Sequence, residues 1–228
     1  MGSEYDQENG VEIDGLDDIE MVNTSIDDID SEEVNLIFVG IDQSGSMDPY
    51  ERDMKDSLEN FKQALTDSKE ADQILVARAN FDSYIDIGGY KKIVEFGTNY
   101  RAGGMTTLYD VICDGSKALK DYLDFLKNEG MIVKAVFAIF SDGDDTASKK
   151  HFDDAKKAIE ELNRAEIVTA FISFGGEATA TANDLGFKNV LDVASSASEL
   201  RRAFDCLSKS VIENSKSVVN NTDDFFAV

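Results

Sequence analysis

The chain has 228 residues, 42% of them hydrophobic, enough to bury a core of domain size. Asp and Glu number 46 against 22 Lys and Arg, a formal net charge of −24 that repels a phosphate backbone and argues against nucleic acid as a partner. No apolar run approaches the about 20 residues that span a bilayer, so no membrane partner is expected.

Residues 1–33 carry 13 acidic side chains and no basic one. Isolated apolar residues alternate with the acids there, so self-repulsion predicts an open acidic tail. Within it, Glu12 to Ile19 and Ser25 to Asp30 are similar acidic-apolar stretches. Such pieces serve either as solvated filler or as docking segments. No secretory or myristoylation pattern opens the chain. The two cysteines, Cys113 and Cys206, form no CxxC pair, and the expectation is packed thiols in a reducing, cytoplasmic compartment.

From residue 34 the pattern becomes short apolar runs alternating with amphipathic stretches. That alternation predicts an α/β fold: a Rossmann-like, doubly wound, mostly parallel central sheet with helices on both faces. A central strand is expected at 34–41, followed by a helix with Met54, Leu58, Phe61 and Leu65 at helical spacing. A second strand follows at 74–81 and a short edge strand at 91–96. A long helix carries Leu108, Val111, Ile112, Leu119, Tyr122, Leu123 and Leu126, and leads to the most apolar strand, 132–140. Helix 148–163, strand 167–174, a looser segment, short strand 190–193 and helix 198–212 complete a domain over 34–212. Residues 213–228 read as a carboxyl-terminal tail whose Phe225-Phe226 pair is either a docking motif or a frayed end.

Three strand or loop ends carry polar clusters: Asp42-Gln43-Ser44-Gly45-Ser46, Thr106-Thr107, and Ser141-Asp142-Gly143-Asp144-Asp145. In an open α/β sheet, ligands bind outside the carboxyl ends of the strands, where successive connections leave in opposite directions. The clusters should therefore converge there, bringing Asp42, Asp142, Ser44, Ser46 and Thr106 together. An all-oxygen set without His or Cys suits a hard divalent cation, Mg²⁺ or Mn²⁺ better than Ca²⁺, which takes more oxygens. Direct ligation by neutral hydroxyls leaves the cation short of negative charge, so a carboxylate from another molecule would complete its shell. Taken separately, each cluster also reads as helix capping and turn formation. Asp144 and Asp145 read as exposed turn residues, and Asp82 and Asp86 as candidates for the rim.

With these residues in hand, segment 34–212 resembles a von Willebrand factor type A (VWA) domain of the intracellular bacterial or phage-like type. Asp42-Gln43-Ser44-Gly45-Ser46 matches its metal-ion-dependent adhesion site, with Thr106 following at 64 residues and Asp142 at 100. The stretch from Gly104 to Asp110 is similar to a bacterial form of the family, with Met105 in place of a small residue and Thr107 in place of proline. The resemblance implies that Ser44 and Ser46 ligate the metal directly, that Thr106 does so in one conformation, and that Asp42 and Asp142 act largely through bound waters. It also implies a protein partner that presents an Asp or Glu.

Enzyme readings find little material. The one histidine, His151, opens a predicted helix and reads as a surface residue, so a Ser-His-Asp triad or a multi-His zinc site has almost no raw material. No phosphate loop or dinucleotide fingerprint occurs. A Mg²⁺-dependent phosphoryl-transfer enzyme with Asp42 as nucleophile would want a second Asp two positions on, where Ser44 stands. The expectation is a non-enzymatic binding module. One alternative is a scaffold that binds through the acidic or carboxyl-terminal tail with a structural metal; another is autoinhibition by Asp27 or Glu32.

Overall fold

The computed structural model describes residues 23–29, 31–143, 145–217 and 222–227. Most of the acidic tail, 1–22, and Asp144 thus lie outside the described residues. The strands are β1 (Glu33–Asp42), β2 (Ile74–Phe81), β3 (Ile85–Ile87), β4 (Lys91–Lys92), β5 (Ile132–Ser141), β6 (Val168–Phe174) and β7 (Asn189–Val193). They form one sheet in the order β3-β2-β1-β5-β6-β7, with β4 also paired to β2. The pairings of β1 with β2 and β5, of β5 with β6 and of β6 with β7 are parallel, while β3 and β4 run antiparallel to β2. The expected doubly wound, mostly parallel sheet is observed.

Strand β1 sits at the centre of the sheet and is covered on both faces, so nine of its ten residues are buried and its apolar run is continuous rather than alternating. Helices α2 (Leu108–Asn128), α3 (Phe152–Arg164) and α4 (Ala178–Leu185) cover one face, with Phe38 and Phe137 stacked beneath them. Helices α1 (Glu51–Thr66) and α5 (Ala197–Lys216) cover the other, around Phe61, Phe140 and Phe204. The sequence-expected stripe Met54, Leu58, Phe61 and Leu65 is fully buried there. Helix α2 lies so close to the sheet that a Cβ on Gly115 would stand 2.3 Å from the Phe38 ring.

Several elements differ from the reading of the sequence. Only Lys91–Lys92 of the expected edge strand pairs, and the chain then turns through Ile93–Glu95. The looser segment after β6 holds α4, which is rich in Ala and Thr and so carries a weak stripe. Helix α3 starts at Phe152 rather than 148, because Ser148 is held in the preceding turn by Asp145. Helix α5 runs on to Lys216, where the buried Lys134 Nζ donates to the carbonyls of Ser215 at 2.5 Å and Ser217 at 2.6 Å. A cation on the last carbonyls of a helix is favoured by its dipole.

Both flanks of the domain pack on it. Asn23 Oδ1 accepts the Tyr90 N–H at 2.7 Å, Thr24 N–H donates to the Tyr90 carbonyl at 2.8 Å, and Ile26 and Ile29 rest on the α2-side core. Phe225 is 2% exposed, and Asn189 holds its segment through the Thr222 carbonyl and the Phe225 N–H. The Phe225 side chain is therefore part of this fold rather than a free docking motif. The described acidic residues expected to reach the site do not. Glu32 hydrogen-bonds to Ile132 at the amino end of β5. Asp27 is exposed in the turn between Thr24, which is fixed to Tyr90, and Glu32.

Candidate metal centre

The clusters singled out in the sequence lie where β1 and β5, adjacent strands, send their connections in opposite directions. Asp42 ends β1 with its carboxylate fully buried. Its Oδ1 accepts the Ser44 N–H at 2.8 Å, and its Oδ2 accepts the Ser141 hydroxyl at 2.5 Å. From Ser44 the chain of contacts goes outward: Ser44 Oγ meets Ser46 Oγ at 3.0 Å, and Ser46 Oγ donates to Asp142 Oδ1 at 2.9 Å. Asp42, Ser44, Ser46 and Asp142 are thus gathered in one hydrogen-bonded run. It grades from a buried carboxylate to an exposed hydroxyl, so the cluster opens to solvent at Ser46.

Burial pushes the Asp42 carboxyl up to about 6, against the pull of its bonds to Ser141 and Ser44, and the nearby Asp142 pushes the same way. Burial also raises Asp142, partly offset by Ser46. Among the described residues, no lysine or arginine pairs with either carboxylate. Two desolvated carboxylates beside two hydroxyls, with no cationic side chain, form a donor set that fits a hard divalent cation. No group of three or more His, Cys, Asp or Glu is gathered among the described residues, so a cation here has to rely on the hydroxyls.

Thr106 arrives on a loop of unusual backbone. Gly103 N–H donates to the Gln43 carbonyl at 2.7 Å, and Gly45 N–H to the Gly104 carbonyl at 3.1 Å, which ties the loop to the Asp42–Ser46 turn. Gly104 has φ +82°, and a Cβ on it would meet Ser83 Oγ at 2.8 Å, so only glycine serves there. The Thr106 N–H donates to Thr146 Oγ1 at 2.9 Å, while its carbonyl accepts the N–H groups of Thr146 and Ala147. These bonds pin the main chain and leave the hydroxyl available. Thr107, next along, has a buried hydroxyl with no hydrogen-bond partner among the described residues.

Several supporting residues were given no role of their own in the sequence reading. Ser141 orients Asp42, and the Tyr100 hydroxyl donates to the Asp42 carbonyl at 2.6 Å. Burial and the acids around it raise the Tyr100 phenol well above its usual range, which keeps it a donor. Asp110 on α2 accepts the N–H groups of Lys149 and Lys150, and Asp145 accepts the Tyr109 N–H. Both fasten the turn after Asp142 onto α2. Asp145 is therefore committed to this turn, and Asp82 Oδ1 is committed to the Tyr84 N–H. The seven-residue match from Gly104 to Asp110 was the one hint of the Asp110 role. His151 lies at the start of α3, with its N–H on Asp154.

Neither a protein-family model nor a curated protein matches the sequence. Solved structures do match its fold. The pilus adhesin SpaC from Lactobacillus rhamnosus GG, in its open conformation, superposes with TM-score 0.63 at 12% identity over 81% of this chain and 30% of the adhesin. This chain therefore spans less than a third of that protein. The SpRpn10 VWA domain matches with TM-score 0.55 at 12% identity, over 75% of this chain and 93% of that domain. Proximal thread matrix protein 1 from the mussel byssus, in a form with a zinc-occupied metal-ion-dependent adhesion site, matches with TM-score 0.55 at 17% identity over 79% and 46%. At such identities the likeness establishes the fold.

Proposed function

We propose that the chain is a non-enzymatic, metal-dependent protein-binding module. A divalent cation, Mg²⁺ or Mn²⁺, is held by Ser44, Ser46 and Thr106, with Asp42 and Asp142 supplying negative charge behind them. The carrying observation is the single hydrogen-bonded run Ser141–Asp42–Ser44–Ser46–Asp142, which ends at solvent with no basic group paired to it. The bound cation supplies Lewis acidity toward an incoming oxygen. The residues of this chain position it, keep Asp42 out of water and leave the outer side open. An Asp or Glu of a partner protein fits that side, since largely neutral ligands leave the cation in need of a further anion.

The mussel protein with zinc in its adhesion site supports divalent-metal binding on this fold. The alternative of binding through the carboxyl-terminal tail loses ground because Phe225 is already buried in its own domain. A reducing, cytoplasmic setting is in keeping with two free cysteines, Cys113 and Cys206. Among the described residues no helix is long and apolar enough to cross a membrane.

The test is capture of partners from lysate by the full chain in Mg²⁺ buffer, in EDTA, and with Asp142→Ala. A partner present in the first and lost in both others is expected. A partner retained in all three would move the binding elsewhere and reduce the metal to a structural role.

A further inference from the structure

The outer side of the centre is not purely polar. Tyr84, at the tip of the turn between β2 and β3, is 82% exposed, and Met105, one residue before Thr106, is 54% exposed. Their loops touch, because the Met105 N–H donates to Ser83 Oγ at 3.0 Å. Two large apolar side chains in water, on adjoining loops beside a carboxylate-seeking site, form a surface for a segment that carries acidic and apolar residues together.

The chain holds such a segment, Glu12-Ile13-Asp14-Gly15-Leu16-Asp17-Asp18-Ile19. Its counterpart, Ser25 to Ile29, shows how the pattern docks: Ile26 and Ile29 rest on the core while Asp27 and Asp28 stay exposed. The described chain also leads the right way. Glu32 lies at the amino end of β5, whereas Asn23 and Thr24 lie against Tyr90, between β3 and β4. Going backward, the chain climbs from the far end of the sheet toward Phe81, the β2 partner of Asp42 and the residue just before the Tyr84 turn. Asp17 and Asp14 precede Asn23 by six and nine residues, a reach of about 20 to 30 Å in extended chain. The remaining rise to Phe81 along β2 is about 13 Å.

We propose that residues 12–19 are the chain's own ligand for this rim, with Ile13, Leu16 or Ile19 on Tyr84 and Met105 and an acid, Asp14 or Asp17, on the cation. The tail then occupies the partner's place and sets a threshold for partner binding. This inference rests on the metal-binding reading above.

Hydrogen exchange of the full chain tests it, in Mn²⁺ and in EDTA, on wild type and on Tyr84→Ala/Met105→Ala, with calorimetry confirming Mn²⁺ binding by both proteins. Exchange in 12–19 is expected to slow about tenfold in Mn²⁺ for wild type, and to return to the EDTA rate in the double variant, whose Mn²⁺ affinity falls by about the same factor because segment and cation favour each other's binding reciprocally. Mn²⁺ binding without slowing in 12–19 would overturn the tail proposal and leave the metal centre intact. No Mn²⁺ binding by wild type would overturn both. Slowing that grows with protein concentration would assign the segment to a second copy and overturn the intramolecular form.

Discussion

Asp42 is a carboxylate held out of water at the end of the central strand. Its carboxyl sits at about 6 in the folded chain, raised by burial from an ordinary value of 3.8. The folded state thus holds the proton more tightly than the unfolded state, so without metal this group favours folding when protonated. That contribution fades as pH rises from about 4 to about 6, and by neutral pH it amounts to about 3 kcal/mol against the metal-free fold. Asp42→Asn removes the titration. Urea unfolding in EDTA should show the variant gaining about 2 kcal/mol on wild type between pH 4.5 and pH 7, and a constant difference would refute the assignment. A divalent cation at this site relieves the same cost, because it stabilises the ionised form.

At the level of elements, close approach of helix and strand sets tolerance. Gly115 faces the Phe38 ring at a distance no Cβ can hold. Gly115→Ala, which on helix propensity alone would stabilise, should instead destabilise by about 1 to 3 kcal/mol in chemical unfolding. A neutral or stabilising result would mean that α2 can slide on the sheet. Elements with a strong period were legible in the sequence: β1 and β5 as continuous apolar runs, α1 and α2 as 3.6-residue stripes. Those that were not legible owe their form to tertiary contacts. The three residues of β3 carry no period of their own and exist by pairing with β2. The last turn of α5 follows from Lys134, which is 82 residues upstream of Lys216. The same division holds at the site. Asp42, Ser44, Ser46 and Asp142 could be picked out from strand ends and spacing, whereas Ser141, Tyr100 and Asp110 act through hydrogen bonds between segments that no spacing reveals.

Over the whole molecule, one topological feature organises the rest. The opposite departures of the connections from β1 and β5 open a crevice, and the Gly103–Thr106 loop and the turn after Asp142 close round it. The acidic balance of the chain, −24, does not hinder a divalent cation and attracts it. Under the proposed function, the same balance would make binding of a partner's carboxylate dependent on that cation, since an uncompensated cluster of acids would repel it. Metal occupancy is then the condition for recognition rather than an accessory to it.

The most direct measurement of that claim is calorimetric titration of Mg²⁺ and Mn²⁺ into the full chain at pH 7.5, alongside Ser44→Ala, Thr106→Ala and Thr107→Val. One site is expected in wild type, with affinity reduced at least about tenfold by Ser44→Ala and Thr106→Ala and unchanged by Thr107→Val. Absence of binding to wild type, or binding indifferent to Ser44, would contradict the account.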